Sequence, residues 1–139
     1  MLNQAIPESA VIEAMPKAFR VAVRTLSTWG FTHEESARAL GLESRTLYRY
    51  KRSGLSPRSI SPDLVERVSY ILGIEKALEI LLGGEPEQEE RDIQRWINSP
   101  SRAPLFGGSP PKRRLASGLV ADLFQTREYL DGWRGGDFA

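Results

Sequence analysis

The chain has 139 residues, 40% of them hydrophobic and 27% charged, with a net charge of only +1. Those proportions suit a globular protein and exclude a histone-like polycation, so any nucleic-acid contact has to be local. There is no cysteine, which excludes disulfides and thiolate catalysis and suits a reducing compartment. No apolar run approaches the roughly 18 residues of a membrane span, and the N-terminus lacks the basic and apolar regions of a secretory leader; the expected setting is the cytoplasm, with no membrane partner.

Residues 1–15 are weakly patterned and read as an arm or a frayed first helix. Pro16 suits the first turn of a helix reaching Trp29, with Phe19, Val23 and Leu26 on one stripe. Gly30-Phe31 ends it. From Thr32 to Arg52 the pattern is two short helices joined by a tight turn. Thr32 is a good N-cap, and Glu35 stands where its carboxylate can reach back to the cap. Ala37 is small where the helices approach, Gly41 can take the left-handed conformation of the turn, and Ser44 is expected to cap the second helix. His33, the single histidine, is expected in solvent.

The second of these helices is two-sided. At about 100° per residue, Arg49 and Arg52 fall within about 40° of Arg45, with Tyr48 beside them, while Leu47 and Tyr50 point the other way. Residues 44–58 hold five basic side chains (Arg45, Arg49, Lys51, Arg52, Arg58) and no acid, whereas a merely soluble helix mixes its charges. A greasy side for docking and a cationic side for phosphates suit a helix that enters the major groove of DNA. Ser44, Arg45, Thr46, Tyr48, Arg49, Lys51 and Arg52 are the candidate DNA-binding residues.

The stretch 53–62 has the Ser, Gly and Pro content of a connector between domains. Beyond it Leu64, Val68, Ile71, Leu72, Leu78, Leu81 and Leu82 keep a helical repeat, with Ser61 as cap, Gly83-Gly84 as stop, and Gly73 as a weak point or bend. A further helix from Pro86 to Asn98 opens with acids, where the helix dipole favours them, and carries Ile93, Trp96 and Ile97 on one stripe. Residues 99–111 contain four prolines and two glycines, which exclude helix and ladder alike. After a short turn through Leu115, a last helix from about Leu119 to Trp133 should turn Leu119, Val120, Leu123, Phe124, Leu130 and Trp133 inward. No segment has a period of two, so the expected class is all-α.

Two resemblances add to this. The spacing of Ala37, Gly41, Leu47 and Tyr50 resembles the helix-turn-helix of the Xre type. Ile97-Asn98-Ser99-Pro100, Pro104-Leu105-Phe106-Gly107-Gly108, then Pro111 and Leu115-Ala116-Ser117-Gly118 resemble the C-terminal domain of the Xre/MbcA/ParS antitoxins, and Gly136-Asp137-Phe138-Ala139 is similar to their usual terminus. Lys112, Arg113 and Arg114 depart from it, standing where the family has apolar residues. The resemblance implies an Xre-like helix-turn-helix bundle over 16–58, preceded by the arm at 1–15, and a small helical toxin-binding domain over 59–139 with an irregular Pro/Gly loop.

Functionally, the resemblance implies the antitoxin of a type II toxin–antitoxin module. Such a protein occludes a RES-type toxin that acts on NAD and represses its own operon through operator DNA. A homodimer and a higher-order toxin–antitoxin complex are expected with it. Arg102, Leu105, Phe106, Arg127, Trp133, Arg134 and Phe138 become the candidate toxin-binding residues, although Phe106 and Trp133 could equally close the core of a small domain.

Nothing in the residues favours catalysis. One histidine without cysteine makes a poor zinc site, and the acids from Glu85 to Asp92 have no loop pattern to shape a hard-cation site. Gly107-Gly108 lacks the lysine and preceding strand of a phosphate loop. The expectation is a non-enzyme with no cofactor and no metal. Two other readings remain open: a stand-alone helix-turn-helix repressor whose C-terminal half only dimerises, and an adaptor whose basic helix meets an acidic protein.

Overall fold

A computed structural model describes residues 8–135. Its elements are α1 (Glu8–Thr28), α2 (His33–Ala39), α3 (Ser44–Ser53), a single 3₁₀ turn (Pro57–Ser59), α4 (Pro62–Leu82), α5 (Pro86–Asn98), α6 (Pro111–Leu115) and α7 (Val120–Arg134), with no strand among the described residues. The protein is all-α.

α4 is the axle of the fold. Leu64, Val68, Ile71, Ile74, Ala77 and Leu78 are buried along it, too many and too widely spread around the helix for a single stripe, so the helix has to be covered on several sides. α1, α5 and α7 cover it. One continuous hydrophobic cluster therefore runs from Met15 in α1 through Leu47 and Ile71 to Leu130 in α7. The 53–62 stretch is consequently no loose connector: Leu55 and Ile60 pack against that cluster, and the 3₁₀ turn is closed by Ile60 N–H to the Pro57 carbonyl at 3.3 Å.

The first helix starts earlier than its sequence suggests. Residues 8–15 form the opening turns of α1, and Pro16 lies inside the helix. A helix-interior proline costs about 3 kcal/mol. Here Val11, half-buried, and Met15 and Phe19, 4% and 2% exposed, continue one stripe across it, and their burial offsets that cost. What precedes Glu8 lies outside the described residues.

The turn chemistry mostly follows expectation. Thr32 Oγ1 accepts from the Glu35 N–H at 3.1 Å and Glu35 Oε1 accepts from the Thr32 N–H at 2.9 Å. Gly41 has φ +68°, as the α2–α3 turn demands. Ser44 does not cap α3, however. Glu43 occupies the cap position without a side-chain bond, and Ser44 is the first helical residue. His33 supplies the tie instead: its Nε2–H donates to the Ser44 carbonyl at 2.8 Å, leaving Nδ1 to accept from Lys51 Nζ at 3.1 Å. The histidine expected in solvent is thus a brace between α2 and α3.

Two apolar residues of α7 also depart from expectation. Leu119 and Phe124 are 64% and 44% exposed, while Thr126 is fully buried and returns its hydroxyl to the Asp122 carbonyl at 2.8 Å. A threonine that satisfies its own hydroxyl can occupy a core position, which rotates the stripe away from Phe124. Gly73 is a point of close approach rather than a weak point: a Cβ there would run into the Arg127 guanidinium, which crosses α4 at that residue.

Candidate DNA- and partner-binding surfaces

On α3 the inward side is Leu47, fully buried, and Tyr50, whose ring meets Phe19 edge-on at 6.0 Å. The outward side carries Arg45, Arg49 and Arg52, all exposed, with Tyr48 57% exposed beside them. Ser44 and Thr46 are half-buried. None of Arg45, Arg49, Lys51, Arg52 or Arg58 forms an ion pair among the described residues. Among the described residues their polar engagements are soft: Lys51 with His33, Arg49 over the Tyr50 ring at 5.5 Å and Arg52 over the Tyr48 ring at 5.8 Å. The guanidiniums are held in place but not neutralised, which is the condition for binding an anion from outside.

The second surface is built by the 99–110 loop and α7. The loop is folded on itself by backbone bonds from Gly108 N–H to the Ser101 carbonyl at 2.7 Å and from Phe106 N–H to the Ala103 carbonyl at 2.9 Å. Gly107 and Gly108 take φ +57° and +92° to make this possible. Phe106 is 7% exposed, wedged edge-on between Trp96 at 5.7 Å and Tyr129 at 5.5 Å. It is therefore not displayed as a contact residue; three aromatic rings packed together exclude water more effectively than one exposed ring could. Its neighbour Leu105 is the displayed residue, half-exposed at the rim of a hollow of about 780 Å³ shared with Pro104, Gln125, Glu128, Tyr129 and Gly132.

None of the other described residues singled out on this side lines that hollow. Arg102 is exposed on the loop. Trp133 is half-buried, packed against Tyr129 at 6.3 Å. Arg127 lies along α4 and pairs with Asp131 at 3.2 Å, and Arg134 reaches the same carboxylate at 3.7 Å. Phe138 lies outside the described residues.

Sequence reasoning missed the residues that bind the two surfaces into one body. Lys112, on α6, pairs with Glu35 at 3.1 Å, donates to the Gly30 carbonyl at 3.2 Å and sits 5.6 Å over the Phe31 ring. Burial would raise the Glu35 carboxyl, but the Thr32 N–H and the Lys112 ammonium outweigh it and hold the group below its usual range. Arg38 of α2 donates to the Ala116 carbonyl at 3.0 Å, and Asn98 to the Trp29 carbonyl at 2.8 Å. The one advance signal was the basic run Lys112-Arg113-Arg114 in an unexpected place. Arg114 has a structural partner too, Asp122 at 2.6 Å.

A half-buried carboxylate lies elsewhere, where α1, α4 and α5 meet. Glu75 accepts from the fully buried Trp29 indole N–H at 2.8 Å. Burial, opposed by that hydrogen bond and reinforced by Glu79 and Glu89, pushes its pKa up to about 7.

The comparisons agree with this division of surfaces. Residues 6–73 match the antitoxin Xre-like helix-turn-helix domain, and residues 77–136 match the antitoxin Xre/MbcA/ParS C-terminal toxin-binding domain. The seam between the two matches falls inside α4. The chain is also similar to y4oB, described as an uncharacterized protein, of Sinorhizobium fredii (strain NBRC 101917 / NGR234), with 34% identity over 131 residues, 93% of this chain and 91% of that one. Together the two matches cover nearly the whole chain, and they identify it as a member of the Xre/MbcA/ParS antitoxin family.

Proposed function

We propose that this protein neutralises a RES-type, NAD-consuming toxin through its C-terminal surface and represses its own operon through α3. The observation that carries the reading is the outward face of α3, where Arg45, Arg49 and Arg52 are exposed and without an ion pair among the described residues. In this reading Arg45 and Arg49 contact base edges, with Ser44, Thr46, Tyr48, Lys51 and Arg52 around them on the sugar-phosphate backbone. A homodimer presents two such helices to half-sites about one helical turn apart.

On the toxin side, Leu105 and Trp133 act as apolar anchors, with Arg102, Arg127 and Arg134 as the polar rim and Phe106 supporting them from beneath. The chain itself is then a binding protein rather than an enzyme. Co-expression with the product of the adjacent gene tests the whole proposal: the two should co-purify, and the complex should consume no NAD. Removing residues 133–139 should leave DNA binding intact while NAD consumption returns. If nothing co-purifies and the protein still binds its promoter as a dimer, the stand-alone repressor takes its place; the exposed Leu119 and Phe124 on α7 would then serve self-association.

A further inference from the structure

We propose that α1 contributes a backbone clamp to the DNA contact: Arg20 and Arg24 join Arg52 around a cleft that takes a phosphate of the strand flanking the groove entered by α3. The inference rests on the DNA reading above and extends it from the α2–α3 pair to the helix that precedes it.

The cleft measures about 450 Å³ and lies between α1 and the end of α3, with Arg20, Arg24, Lys51 and Arg52 around a floor of Phe19 and Tyr50, and no acidic residue lines it. Arg20, Arg24, Lys51 and Arg52 are exposed, and none forms an ion pair among the described residues. Arg24 also borders the hollow that holds Glu75, Glu79 and Glu89, and even so stays more than salt-bridge distance from each of them. Lys17, Arg20 and Arg24 fall within about 60° of one another on α1, with Glu13 closing the row at its N-terminal end.

Like charges converging on a half-apolar cleft repel one another until an anion enters, and guanidiniums offer the fork that phosphate oxygens accept. The shared chemistry is a phosphate group, in a DNA strand or free in solution. Continuity favours the strand. Arg52 belongs both to this cleft and to the face of Arg45 and Arg49, so a duplex lying on α3 brings a phosphate to the cleft without a second binding event.

The test compares binding to a duplex from the gene's own promoter with binding to a scrambled duplex across a salt series. Arg20→Gln with Arg24→Gln should weaken both by the same factor, about tenfold, and shrink the salt slope by about 0.9 for each phosphate no longer neutralised. Arg45→Ala should instead narrow the gap between the two duplexes. Arg20→Lys with Arg24→Lys should keep the slope, and circular dichroism should show every variant folded.

A slope unchanged in the Gln variant, while Arg45→Ala still weakens binding, overturns the clamp and leaves the DNA reading standing. So does titration in which AMP binds the wild type, the Gln variant loses AMP, and both bind duplex alike. A wild type that binds neither duplex overturns the DNA reading and the clamp together.

Discussion

Two sets of cations in this molecule do opposite things. On α3, Arg45, Arg49 and Arg52 stand exposed with no ion pair among the described residues; on α6, Lys112 and Arg114 are about three-quarters covered and bonded to Glu35, Gly30, Asp122 and Gln125. Both runs look alike as sequence, short and rich in basic residues. What separates them is whether the fold brings an acid to meet the charge, as it does for Lys112 and Arg114; Arg113 between them is exposed and, among the described residues, reaches only the Ser109 hydroxyl at 3.4 Å. A basic run is evidence of an external anion only after the internal ones have been counted, and on α3 that count is empty among the described residues.

The contrast predicts that removing a paired cation costs stability, whereas removing an unpaired one costs binding. Arg67 gives the largest expected effect on folding. It is 8% exposed, bonds Asp63 at 2.8 Å and reaches the Arg38 and Ala39 carbonyls at 3.5 and 3.4 Å, closing the end of α2. Arg67→Ala should lower stability to urea by about 2–3 kcal/mol, since it deprives buried acceptors at the end of α2 of a charged donor.

Arg45→Ala and Arg49→Ala should each weaken promoter binding by about 1–3 kcal/mol. Thermal stability should stay within about 0.5 kcal/mol of wild type; a thermal loss like that of Arg67→Ala would erase the contrast. Lys112→Met is expected to be the mildest, about 0.5 kcal/mol by urea unfolding, with the difference fading in high salt, because its ion pair with Glu35 is partly solvated.

Between those extremes lies Glu75. An acid whose pKa is raised on folding keeps its proton longer in the native state. Its stability contribution is therefore complete below the unfolded value of 4.5 and is lost as pH rises to about 7. Urea stability should fall by about 1 kcal/mol across that window, a figure discounted because the carboxyl is partly open to solvent. Glu75→Gln, which still accepts from the Trp29 indole, should flatten the profile; Trp fluorescence against urea at several pH values measures both. An unchanged pH dependence in the variant would assign the effect to another group.

How far the sequence carried can be traced residue by residue. Local rules placed α2, its cap, the Gly41 turn and α5 well, because Thr32, Glu35, Gly41 and Pro86 act on their own neighbours. The misses share a different cause: they depend on residues far along the chain. Pro16 is tolerated because Met15 and Phe19 are buried by other elements. Of the two roles open to Phe106, the covered one holds because Trp96 and Tyr129 close on it, and Phe124 is turned out because Thr126 can satisfy itself inside. Gly73 acquires its meaning only from Arg127, more than fifty residues later. On the basic helix the pattern located the charges, but only the three-dimensional arrangement could show that they were left without partners.

The single core that runs through α4 has a consequence for turnover. Because α1, α5 and α7 all pack on α4, a nick or local melting within that one rod strips cover from the first helix and the last at once. A cut within α4, unlike a trim of the chain's end, exposes the core beneath both surfaces in the same event, which makes the lifetime of this one helix the clock for both.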